Sequence, residues 1–189
     1  MLNSAARRRT ATIGSAVFFL AGPGIVIGLI PWLLTGWRAE DPLPLWAPWP
    51  VRALGVALIA AGAAVMVHAF VRFVADGLGT PFPAAPPRHL VVTGLYRYVR
   101  NPMYVAIVTA TIGQTLLLGR YGLLAYTVIA WAVTATFVRF WEEPALVRRF
   151  GAEYRTYRRA VRAWWPRLRP WDPAVLGEDR ITAERGDFG

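Results

Sequence analysis

Two short stretches hold most of the residues that could do chemistry. Residues 88–104 read RHLVVTGLYRYVRNPMY and lie between two apolar runs. Proline disfavours the α conformation in the residue before it and suits the first position of a helix. Asn101 is therefore expected as an N-cap and Pro102 as the first residue of a helix running into Met103 and Tyr104. Free N–H groups and the positive dipole end make a helix start a place for an anion, and Arg100 just before the cap adds charge. The second stretch, residues 139–158, opens with Arg139 and carries Glu142 and Glu143 where the last apolar run ends. Adjacent carboxylates can receive a cation. Together the two stretches suit a ligand that bears both a carboxylate and an ammonium.

Other chemistries find little support. The chain has no cysteine, which excludes disulfides, thiol catalysis and thiolate metal sites. Its two histidines, His68 and His89, and its scattered acids show no metal-ligand spacing. The only serines, Ser4 and Ser15, are far from any His-Asp arrangement. Neither a phosphate-cradling GxxxxGK[ST] loop nor a GxGxxG element on a strand is present. A nucleotide-like cofactor would have to be held by the loop and the carboxylates themselves.

The elements that must position these groups are membrane helices. The 189 residues are 56% hydrophobic, and all 21 basic residues are arginines framing four uncharged runs. Each run is near the ~20 residues that cross ~30 Å of hydrocarbon. The expected spans cover about 13–35, 52–74, 102–119 and 121–141. They make an all-α polytopic bundle of four, or five, spans forming a single domain over 1–171. The third is short, and crosses incompletely or with local thinning. Eighteen arginines fall on one side of this topology and three (Arg38, Arg52, Arg120) on the other. The positive-inside rule then puts both termini and the loop in the cytoplasm. The net charge of +10 reads as attraction to anionic lipid and not as nucleic-acid binding.

Within the spans, Pro31 predicts a kink, and Gly24 and Gly28 form a small-xxx-small pair suited to helix contact. Ala53, Ala57, Ala60, Ala61, Gly62, Ala63 and Ala64 offer a second packing surface, and Gln114 is expected to bond a neighbouring helix. His68, Arg72 and Asp76 share one face near the end of the second span, either as a snorkelling ion pair or as a wall of the active cavity. After the fourth span, Leu146, Phe150, Tyr154, Tyr157, Val161 and Trp164 recur every three or four residues among arginines. An amphipathic helix over about 143–164, lying on the membrane with its aromatic face buried, is the expectation. A polar tail follows over 172–189.

The order Gly94-Leu95-Tyr96, Arg100-Asn101-Pro102-Met103-Tyr104, Glu142-Glu143, Leu146, Phe150-Gly151, Tyr154 and Tyr157 resembles the isoprenylcysteine carboxyl methyltransferase family and its phospholipid methyltransferase relatives. These are integral membrane enzymes that use S-adenosylmethionine. The resemblance covers roughly residues 51–171. It departs at Asn101, where many members carry His, so an imidazole's role would pass to an amide. It implies that His89, Leu90, Val91, Gly94, Tyr96, Arg100, Asn101, Pro102 and Tyr104 wrap the cofactor. A glutamate of the Glu142–Glu143 pair would meet its ammonium or ribose, Tyr faces would attend the sulfonium, and Arg139 would orient the acceptor. Glu143 and Arg139 are thus the catalytic candidates. The expected acceptor is a lipophilic small molecule or lipidated group such as an isoprenylcysteine carboxylate, and the expected location a prokaryotic plasma membrane. Alone, the glutamates read as a helix end ion-paired with Arg139. Two other readings stand: a sterol-reductase-like enzyme using NADPH, and a non-catalytic scaffold whose arginines hold anionic lipid.

Overall fold

The computed structural model describes residues 22–40, 48–77 and 89–176. The start of the first span, most of the Pro- and Gly-rich connector with Arg88, and the tail from 177 lie outside them. Every regular element described is helical. Helix α1 (Gly24–Thr35) begins as a π-helix over Gly24–Leu29. Helix α2 covers Pro48–Gly77 and α3 covers Pro102–Leu118. Helix α4 (Gly122–Phe137) runs through a π turn, Val138–Glu142, into α5 (Glu143–Ala160). Trp49–Arg72 and Gly122–Ala160 are each long and apolar enough to cross a membrane, while Gly24–Thr35 and Pro102–Leu118 are apolar but shorter. Leu33, Leu34, Val67, Val128, Ile129 and Val133 all project outward and exposed. So much uncovered apolar surface belongs to a bundle solvated by lipid.

Pro31 explains the unusual winding of α1. The N–H of Ile30 reaches back five residues to the Ile25 carbonyl, and the next donor in line would be residue 31, which has no N–H. The carbonyls five and four residues before it, Val26 and Ile27, are left without partners. The Tyr126 hydroxyl donates to Val26 at 2.7 Å, and the Gln114 amide donates to Ile27 at 2.7 Å. The π-helical winding and the interhelical role of Gln114 are thus one feature. Side chains from α3 and α4 replace what proline removed, as apolar surroundings require.

Helices α2 and α3 meet at glycines. A Cβ on Gly113 would stand 2.7 Å from the Gly55 carbonyl oxygen, and one on Gly62 would stand 2.9 Å from that of Ala106. Of the small residues expected to pack, Gly62 does so and the others do not. Gly24 and Gly28 have nothing within 4 Å of an added Cβ, and Ala53, Ala57, Ala60, Ala61, Ala63 and Ala64 are exposed. The buried stripe of α2 is Gly55, Gly62, Met66 and Ala69, spaced seven, four and three residues apart, which is one helical face.

Helix α5 is not the single amphipathic helix expected over 143–164. It breaks at Gly151, whose backbone is at φ 53° and ψ −120°, a conformation open to glycine and strained for other residues. In a continuous helix, Glu143 and Arg158 would stand roughly 22 Å apart along the axis. Here their side chains meet at 3.4 Å, because the chain folds back. The stripe is correspondingly turned inward. Tyr154, Tyr157 and Val161 are buried in one cluster with Val92 and Trp171, with Leu146 and Phe150 packed against it. What reads as a lipid-facing stripe covers the motif loop instead.

Candidate functional site

The motif loop is a short 3₁₀ turn, Gly94–Arg97, followed by the start of α3. Gly94 has φ 55°, and a Cβ there would lie 3.0 Å from His68 Nε2. The α2 face that carries His68 and Arg72 therefore backs the loop. Of Asp76, the third residue on that face, only the backbone is described. Val91 and Tyr96 are buried with Ala69, and Met103 packs against them. Burial pushes the Tyr96 phenol above its ordinary range, and neighbouring Tyr157 adds to the effect, so it stays neutral at physiological pH.

The opposite side of the loop is covered by residues 161–171, an irregular segment with no sign of this role in the sequence. The Arg100 N–H donates to the Arg162 carbonyl, that of Arg167 to Tyr98, and that of Trp171 to Arg97, each at 2.9 Å. Arg97 Nε returns a bond to the Trp171 carbonyl at 2.6 Å, and the Tyr157 hydroxyl donates to the Tyr96 carbonyl at 2.7 Å. Asn101 stands at the N-cap position but makes no side-chain cap. Its amide donates to the Ala163 carbonyl at 3.2 Å. The expected capping role is therefore replaced by a tie to the covering segment, while Pro102 holds the first-turn position as expected.

The two glutamates have different surroundings. They are adjacent, so they point about 100° apart on the helix. Glu143 is buried between Arg100 Nη1 at 2.7 Å and Arg158 Nη1 at 3.4 Å, and Arg100 also donates to the Tyr154 hydroxyl at 3.1 Å. Both carboxylate oxygens of Glu143 are engaged. The alternative of a helix end paired with Arg139 is corrected, since Glu143 pairs across the fold and Arg139 joins neither carboxylate. Glu142 instead accepts a bond from the Tyr104 hydroxyl at 3.3 Å.

Tyr104 opens onto a shallow groove between α3 and α4. Ile107, Val108, Thr111, Thr127 and Ala130 line its walls, and Trp131 and Trp164 stand beside Tyr104. The Trp164 ring lies 6.3 Å from that of Tyr104 and 6.0 Å from that of Trp131. The hydroxyls of Thr111 and Thr127 are spent on carbonyls of their own helices, so the groove presents mainly apolar surface.

The structure therefore brings Arg100, Asn101, Pro102, Tyr104, Glu142 and Glu143 to one end of the bundle, with Gly94 and Tyr96 behind them. His89 is exposed, and Leu90 and Val91 pack into the two apolar clusters that hold the loop. Arg139 is exposed and lies off the stripe of Thr127, Trp131, Thr134 and Val138 that continues to Glu142. Arg158, Trp131, Trp164 and the covering segment were missed. Nothing in their spacing signals these contacts: Arg158, Trp164 and the covering segment reach the site through the turn at Gly151, and Trp131 through the pairing of α3 and α4. Two buried side-chain atoms have no hydrogen-bond partner among the described residues: Gln114 Oε1 between the helices and, in the site, Arg100 Nε. An orphaned guanidinium N–H of this kind fits the carboxylate of an amino-acid-bearing cofactor, and Glu142 beside it suits the ammonium.

The motif loop, the carboxylate pair and the apolar groove thus meet at one end of a bundle of apolar helices. Over residues 51–153 the sequence matches the phospholipid methyltransferase family. That is more than half of the chain, and the protein belongs to this family. A 75-residue stretch is 37% identical to protein-S-isoprenylcysteine O-methyltransferase of Schizosaccharomyces pombe, covering 39% of this chain and 31% of that protein. The match thus spans about a third of the relative's length. No solved structure matches the chain. Both glutamates and the whole motif loop lie inside the family match, whereas Tyr154, Arg158 and the covering segment lie beyond it.

Proposed function

We propose that the protein is an integral membrane methyltransferase that uses S-adenosylmethionine to methylate a lipophilic acceptor. The observation that carries this reading is the Tyr104–Glu142 pair, placed at the mouth of an apolar groove beside the buried, unmatched Arg100 Nε. The cofactor when bound supplies an electrophilic methyl group and its own leaving group, so the protein has mainly to align and to desolvate. Arg100 holds the cofactor's carboxylate and Glu142 its ammonium or ribose. Glu143, saturated by two guanidiniums, fixes Arg100 and does not itself touch the ligand. The groove takes the acceptor's apolar portion, with Arg139 at the lipid-facing edge for an anionic head. An isoprenylcysteine carboxylate is favoured by the named relative and a phospholipid headgroup by the family's name. The division of arginines supports a site open to the cytoplasm.

The test is calorimetry on detergent-purified protein titrated with S-adenosylmethionine and, separately, NADPH. Binding of the first alone is expected. Release of S-adenosylhomocysteine is then followed with a prenylated cysteine analogue and with phosphatidylethanolamine. Glu142→Gln should weaken cofactor binding about tenfold, the worth of one charged hydrogen bond of ~1.5 kcal/mol. Unchanged affinity in a folded Glu142→Gln protein would remove Glu142 from the site.

A further inference from the structure

The arginine-rich segment has lost its aromatic stripe to the motif loop, yet it leaves other apolar side chains uncovered. Trp164 contacts Trp131, which lies two helical turns inside Val138, the last residue of α4's apolar stretch. The turn that follows Trp164 is therefore held at the level of the apolar helices and not beyond their end. Trp165 is 74% exposed and Leu168 fully exposed. The turn is firmly fixed. The Arg167 N–H donates to the Tyr98 carbonyl, its guanidinium donates to the Ala160 carbonyl at 2.7 Å, and Pro166 and Pro170 keep it from becoming helical. Arg159, Arg162 and Arg169 are exposed around it. Over 159–169 there is no acidic residue.

We infer that residues 164–168 form a membrane anchor. Trp165 and Leu168 enter the edge of the hydrocarbon in the leaflet on the motif-loop side, and Arg159, Arg162 and Arg169 bind anionic lipid headgroups. Tryptophan at this depth and arginine just outside it match the polarity profile of a bilayer interface. Continuity with the exposed apolar face of α4, which Trp131 joins to Trp164, makes lipid the occupant, since the same solvent must cover both. The anchor also fixes the height of the segment that covers the motif loop. The inference does not depend on methyl transfer.

The absence of cysteine allows single labels. Leu168→Cys and, as reference, Ala152→Cys are each coupled to an environment-sensitive fluorophore, and the full chain is placed in lipid nanodiscs. Both positions are exposed, so the label displaces no packing. Ala152 follows the turn at Gly151, about 15 Å past Glu142 at helical rise. The label at 168 should emit to the blue of that at 152. Lipids brominated near the headgroup should quench it, and more strongly in phosphatidylglycerol than in phosphatidylcholine. Arg159→Gln, Arg162→Gln and Arg169→Gln combined should abolish that lipid difference. Water-like emission at 168 would overturn the anchor. Blue emission without quenching would overturn it in favour of contact with a second copy. Equal quenching in both lipids would overturn the headgroup assignment.

Discussion

Replacing Gly151 by alanine isolates the turn on which the site depends. A Cβ at this position meets nothing within 4 Å, so no packing clash contributes and the cost is that of the backbone alone. Holding a non-glycine residue in so sparsely populated a conformation costs about 1–3 kcal/mol. At about 1.4 kcal/mol per tenfold, the folded-back arrangement should lose roughly 5- to 140-fold in population relative to open forms. Opening the turn separates Arg158 from Glu143 and lifts Tyr154, Tyr157 and the covering segment from the loop. Thermal stability and cofactor affinity should therefore fall together. The measurements are thermal melts in detergent and calorimetric titration with S-adenosylmethionine. Gly122→Ala is the control, because its Cβ also meets nothing within 4 Å and its φ is not positive. Gly151→Ala with wild-type stability and affinity would refute the fold-back as the device that builds the site.

Three further outcomes are expected. Glu143→Gln leaves Arg100 and Arg158 facing a neutral amide. It should cost about 3 kcal/mol, the low end for a broken buried pair, since Arg158 is partly exposed; an unchanged melting temperature would contradict this. Gln114→Leu should destabilise by about 0.6 kcal/mol, the average for interhelical hydrogen bonds in membranes, and by no more than about 1.7. That loss should shrink in a Pro31→Ala background, where the Ile27 carbonyl regains a backbone donor, and a double-mutant cycle by thermal melts reads the coupling. Arg139→Ala should leave cofactor binding and stability intact and depress turnover with an anionic acceptor. Equal turnover would make Arg139 a simple interfacial residue.

Much of the architecture was legible because membrane helices are written in composition. Uncharged runs framed by arginines mark the apolar segments whatever they later touch, and Pro31 and Pro102 act locally, through a missing N–H and a fixed φ. Gln114 could be read as an interhelical donor because an amide in an apolar run has no other favourable use. Small residues were misread for the opposite reason. A glycine or alanine permits close approach without saying which face will be approached, so Gly24, Gly28 and the alanines of α2 looked as suitable as Gly62, and Gly55 and Gly113 were passed over.

The site itself needed the tertiary structure. Glu142 and Glu143 are adjacent and chemically identical, and only the fold assigns one to Arg100 and Arg158 and the other to Tyr104 at the groove. Asn101 had the right identity and position for a cap, but a carbonyl sixty-two residues away took its amide. The stripe from Leu146 to Val161 has the period of a membrane-surface helix. Periodicity reports that one face will be buried and is silent on what buries it. The chain could settle that only by reversing at Gly151, where the absence of a side chain permits the backbone to turn the stripe onto the loop.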